Sequence, residues 1–112
     1  LDCLQTEKYY FNKNIEDIIA KFAYYGLKNN LDGLVCSPKE IKVVKKITLD
    51  KLLIITPGIR PENYKNPNDD QKRFMTPKDA INAGASYLVI GRPVTKSFDP
   101  LKELKTINST LD

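Results

Sequence analysis

Leu52-Leu53-Ile54-Ile55-Thr56-Pro57-Gly58-Ile59-Arg60-Pro61 changes character half-way. Four apolar residues in a row read as a strand buried on both faces. The residues that follow leave it through a turn, since proline and glycine break the strand pattern. Two similar apolar runs flank this one, Leu34-Val35-Cys36 before it and Tyr87-Leu88-Val89-Ile90 after it. Each is bounded by turn or helix-start residues.

Between the runs lie helices. Ile15, Ile18, Ile19, Phe22 and Ala23 repeat at i, i+3, i+4, i+7 and i+8, one face of an amphipathic helix with Asn14 as its N-cap. Ser37-Pro38-Lys39-Glu40 and Thr76-Pro77-Lys78-Asp79 each place a capping hydroxyl, a proline and an acid in the order a helix start requires. Asp99-Pro100 opens a last helix, with Leu101, Leu104, Ile107 and Leu111 along one side. The order is helix, strand, helix, strand, loop, helix, strand, helix. Such alternation predicts an α/β fold with parallel strands. Three strands cannot close a barrel, and a parallel sheet with two open edges folds poorly alone. The 112 residues are therefore expected to be a single partial domain of something larger.

Composition narrows the chemistry. The chain has 18 Lys+Arg, 14 Asp+Glu and a formal charge of +4, with no His and no Trp. Without His, a His-based triad, a His general base and a His metal ligand are all excluded. The two cysteines, Cys3 and Cys36, suit neither a Cys-rich zinc site nor a secreted disulfide scaffold. No metal site is expected. No apolar run approaches the ~20 residues of a membrane span, and no basic-then-apolar leader opens the sequence. The expectation is a cytoplasmic protein with reduced thiols and no membrane partner. Lys42, Lys45, Lys46 and Lys51 form the densest basic group, and no tyrosine interleaves with them. They read as a solvated face, and no nucleic-acid partner is expected.

Binding residues of parallel α/β folds cluster beyond the C-terminal ends of the strands. Gly91-Arg92-Pro93-Val94-Thr95 stands at one such end. Glycine there lets an anion approach the backbone N–H, and arginine offers a planar donor fork. The same dipeptide also suits a tight turn and a salt bridge. At the other end, residues 62–74 form a long polar stretch between Pro61 and the Thr76 cap. Loops of this length are lids or loose insertions. A lid carrying Gln71 would close over an anionic ligand.

These elements carry a resemblance. L-D-G-L-V-C-S at 31–37, T-P-G-I-R-P at 56–61, D-Q-K-R-F-M-T-P at 70–77 and Y-L-V-I-G-R-P-V-T at 87–95 together resemble the C-terminal part of bacterial orotidine 5′-phosphate decarboxylases. The pair T-P-G-I-R-P and D-Q-x-R-x-M-T-P is the specific part, since other phosphate-binding barrels share the G-R-P-V-T type of strand end. The lid motif argues against a sugar-phosphate decarboxylase. The resemblance implies a (β/α)8 TIM barrel of the ribulose-phosphate-binding type, of which this chain supplies about strands six to eight. It implies conversion of orotidine 5′-phosphate to uridine 5′-phosphate and CO2 in pyrimidine synthesis, without a cofactor, by a homodimer. It implies that Gly91 and Arg92 hold the phosphate, that Gln71 bridges phosphate and pyrimidine from the lid, that Arg60 contacts the ligand and that Pro57 lies near the base.

One departure bears on activity. The family's chemistry rests on an Asp-x-Lys-x-x-Asp core, with an Asp of the network supplied across the dimer. Asp70-Gln71-Lys72 begins that pattern, but Met75 stands where the last Asp belongs. The family's Thr-containing segment after the fifth strand would lie upstream of Leu1. No catalytic residue is therefore assigned within this chain. It is expected to be inactive alone, or to be a noncatalytic remnant, or to assemble with an N-terminal half-barrel.

Overall fold

The computed structural model describes residues 14–62, 64 and 74–112. Helix α1, Ile15–Lys28, begins where the sequence places it. The Asn14 side-chain oxygen accepts from the Asp17 N–H at 2.8 Å, satisfying one of the donors a helix start leaves open. Strand β1, Gly33–Val35, leads through a 3-10 turn at Pro38–Glu40 into α2, Ile41–Thr48. The Glu40 carboxylate accepts from the Ser37 N–H at 3.0 Å, so one arm of the expected capping pair forms, without a cap bond from the Ser37 hydroxyl, and it opens the 3-10 turn and not the α-helix itself.

Strand β2, Leu53–Thr56, is followed by α3, Pro77–Ala83, capped by the Thr76 hydroxyl, which accepts from the Asp79 N–H at 3.3 Å. Strand β3 is Tyr87–Leu88; after it come a four-residue helix α4, Arg92–Thr95, and the final helix α5, Pro100–Ser109. The three strands form one parallel sheet in the order β1-β2-β3. Both the alternation and the parallel pairing follow the sequence expectation.

Register separates the two faces. Val35 pairs with Ile55 and Ile55 with Tyr87, so these three share one face. Leu34 and Ile54 lie on the other, which packs against the helices through Ala23, Ile41, Val44 and Ala80, with Ala85 from the α3–β3 connection beside them. The expectation of burial on both faces is not met. Val35 is 71% exposed, Tyr87 61% and Leu53 46%. No described helix lies over that face, so its apolar side chains meet solvent. The same holds on two helices. Phe22, expected in the α1 core stripe, is half-exposed, while Ile18 and Ala23 are buried and Ile19 packs partly buried against the core. Of the four residues expected to bury α5, Ile107 does, while Leu101, Leu104 and Leu111 stay exposed. No described helix is long and apolar enough to cross a membrane.

Candidate functional site: two turns at the C-terminal end of the sheet

Strands β2 and β3 are neighbours, and the chain leaves both at the same end of the sheet. The ladder continues past β3, since the Val89 N–H donates to the Thr56 carbonyl at 2.9 Å. Pro57 and Gly91 thus begin two turns that depart from adjacent strands.

The first turn is firmly held. Thr56 and Ile59 are fully buried, Gly58 takes φ 73°, and Pro57 is half-buried. The backbone closes on itself here. The Arg60 N–H donates to the Met75 carbonyl at 3.0 Å, and the Met75 N–H to the Gly58 carbonyl at 3.3 Å. The Arg60 side chain does not extend into solvent. It is 6% exposed, its Nη1 donates to the Ile59 carbonyl at 2.9 Å, and its guanidinium lies 5.6 Å from the centre of the Tyr64 ring. Gln71 lies outside the described residues.

The second turn is open. Strand β3 ends at Leu88, so Gly91 sits beyond the paired residues and caps α4, its carbonyl accepting from the Val94 and Thr95 N–H groups at 3.0 Å each. Two readings of Gly91 stand in the sequence, an anion contact and a tight turn. Its φ is −103°, outside the left-handed region, and a Cβ built on it meets nothing within 4 Å. Among the described residues, no packing contact demands glycine at 91. Arg92, the first residue of α4, is half-buried.

Cys36, just past β1, is a third polar feature at this end. Its N–H donates to the Ile55 carbonyl at 3.1 Å. Burial, reinforced by the nearby Glu40 carboxylate and partly offset by the Thr56 hydroxyl, pushes the thiol up to about 11. It is a neutral, inert thiol at physiological pH. Neither it nor Tyr64 stands out from sequence patterning, because each acquires its neighbours only through folding.

The sequence profile described as orotidine 5′-phosphate decarboxylase / HUMPS family matches residues 2–107. The chain belongs to this family. Among curated relatives, the orotidine 5′-phosphate decarboxylase of Dichelobacter nodosus is 45% identical over 97 residues, covering 87% of this chain and 42% of that protein. The enzyme of Actinobacillus pleuropneumoniae is 42% identical over 111 residues, covering 99% and 46%. The chain therefore spans less than half the length of the curated relatives it matches. Among solved structures, the Lactobacillus acidophilus orotidine 5′-phosphate decarboxylase superposes with a TM-score of 0.78 at 28% identity, over 100% of this chain and 44% of that one. The Pyrococcus horikoshii enzyme superposes with a TM-score of 0.68 at 22% identity, over 87% and 43%, a likeness of fold. These neighbours are TIM-barrel proteins, and the α/β layer described above is a fragment of that architecture.

Proposed function

We propose that this chain is the C-terminal part of an orotidine 5′-phosphate decarboxylase barrel, about strands six to eight, and that it carries the half of the site that grips the nucleotide phosphate. The observation that carries this reading is the pair of turns at 57–60 and 91–92. They leave adjacent strand ends, and one of them exposes a glycine whose Cβ position meets no described atom within 4 Å. The open Gly91 backbone and the Arg92 fork suit a phosphate oxygen cluster. Pro57 and Arg60 stand on the neighbouring turn, where the base and ribose of the same ligand would extend. Residues 62–74 act as the lid, with Gln71 as its contact to phosphate and pyrimidine.

In this reading the substrate is orotidine 5′-phosphate and the product uridine 5′-phosphate, handled by a cytoplasmic, cofactor-free homodimer. Loss of CO2 leaves electron density on the pyrimidine carbon that a positioned ammonium must stabilise and then protonate. The 112 residues contain no Asp-x-Lys-x-x-Asp sequence to position such a lysine. Their contribution is binding energy from the remote phosphate, used to orient the base. The uncovered face bearing Val35, Leu53 and Tyr87 favours assembly with an N-terminal half-barrel.

The test is calorimetric titration of the 112-residue chain with uridine 5′-phosphate and with uridine, alongside ultraviolet-monitored turnover of orotidine 5′-phosphate. Nucleotide binding without nucleoside binding, and no turnover above background, is the expected result. Equal affinity for the two ligands would refute the phosphate assignment. Robust turnover would refute the absence of the catalytic half.

A further inference from the structure

We infer that Tyr64 is a positioning residue for Arg60, holding its guanidinium in one orientation at the root of the 62–74 segment. The inference rests on the reading above, in which the neighbouring turn takes a phosphate ester.

Three contacts make the case. The Tyr64 N–H donates to the Pro61 carbonyl at 3.0 Å, closing a turn that brings the ring back towards Arg60. The ring centre then lies 5.6 Å from the Arg60 guanidinium carbon, within reach of the attraction between a cation and an aromatic face. The Nη1 bond to the Ile59 carbonyl, at 2.9 Å, fixes one edge of the fork, and Ile59 is itself fully buried. An arginine keeps its charge wherever it is placed, and Arg60 as a residue is only 6% exposed. In such surroundings its attraction for an anion is stronger than in bulk solvent. A long side chain left free would have to be ordered when the ligand binds; one already held loses less on binding.

The test uses the whole 112-residue chain, uridine 5′-phosphate as probe and two variants. Tyr64→Phe keeps the aromatic face, and Tyr64→Leu removes it. The first readout is the NMR shift of the Arg60 Hδ and Hε protons, which a ring above the guanidinium moves upfield. The second is nucleotide affinity. The wild type and Tyr64→Phe are expected to share the upfield shift and to bind within about twofold of each other. Tyr64→Leu is expected to lose the shift and bind roughly threefold to tenfold more weakly. An Arg60 shift unchanged in Tyr64→Leu overturns the inference. So does unchanged affinity in Tyr64→Leu, or a Tyr64→Phe variant as weak as Tyr64→Leu. If the wild type binds no nucleotide, the phosphate-ester reading falls and the ligand-positioning role falls with it. A wild type that binds while Tyr64→Leu binds equally well overturns the role of Tyr64 alone.

Discussion

Ile59 and Met75 are joined as a parallel backbone bridge across fifteen intervening residues. The bonds on either side, from the Arg60 N–H to the Met75 carbonyl at 3.0 Å and from the Met75 N–H to the Gly58 carbonyl at 3.3 Å, draw the two ends of the 62–74 segment together.

Ile59 anchors that bridge, which sets the first prediction. Its side chain is fully buried and sits in the core with Ile41, Val44 and Ala80. Ile59→Ala removes buried methyl groups and leaves a cavity, at a cost of about 2–4 kcal/mol. Urea denaturation followed by circular dichroism measures it. The same variant should lower the protection that uridine 5′-phosphate confers on residues 62–74 in hydrogen exchange. A loss of less than about 0.5 kcal/mol would show that the bridge does not depend on this side chain.

Two glycines make a paired prediction. Gly84 ends α3 at φ 122°, and a Cβ there would stand 2.7 Å from the Lys45 side chain. Gly84→Ala should destabilise the chain by about 1–3 kcal/mol through backbone strain. Gly91 has an ordinary φ and open space around its missing Cβ. Gly91→Ala should leave the melting temperature within a degree or two of wild type (about 0.5 kcal/mol or less) while weakening nucleotide binding. The reverse pattern would make Gly91 a structural residue.

The fold was legible wherever local chemistry decided it. Asn14, Thr76 and Asp99 cap helices as their positions in the sequence imply, with Asp99 accepting from the Lys102 N–H at 3.2 Å. Strand direction followed from alternation. Burial did not, because it depends on what covers a face. Val35 and Leu101 carry the pattern of core residues but are exposed among the described residues, since their pattern matches a larger architecture. The candidate turns were legible as motifs at strand ends, and Gly91 and Arg60 lie on turns leaving adjacent strands. Two things were not legible: the folding-back of Arg60 under Tyr64, and the separation of Gly91 from the end of β3, because a side chain's rotamer and a strand's last paired residue are set by neighbours distant in sequence.

Cys36 gives a prediction in pH. Burial, and then the Glu40 carboxylate, raise its thiol from 9.0 to about 11 in the folded chain. The unfolded chain releases this proton near 9, the folded chain only near 11. Between those values the folded state binds more protons, so stability falls as pH rises. Its contribution is complete below pH 9 and lost through pH 11. Urea midpoints at pH 8, 9.5 and 10.5 should fall, and Cys36→Ser should flatten that part of the fall. A thiol reagent at pH 8 should react with Cys36 far more slowly than with the unfolded chain. Rapid labelling of Cys36 in the folded state, read in a Cys3→Ser chain, would contradict the buried, neutral thiol.

Arg92 provides the sharpest test of the phosphate grip. It opens α4 immediately after Gly91, whose Cβ position meets no described atom within 4 Å. A phosphate monoester held there would take charge-assisted hydrogen bonds from the guanidinium, and losing such a bond costs about 1.5–3 kcal/mol. Arg92→Ala should therefore weaken uridine 5′-phosphate binding roughly tenfold to a hundredfold. Arg92→Lys should recover only part of the loss, since an ammonium keeps the charge without the planar fork. Uridine lacks the phosphate, so its affinity, however weak, should be the same in all three chains. Rising salt should narrow the gap between wild type and Arg92→Ala, because a half-exposed charge is screened. Calorimetric titrations at two ionic strengths read all of this at once. Parallel losses for nucleotide and nucleoside would mean that Arg92 supports the fold of this end of the sheet and that the phosphate is held elsewhere.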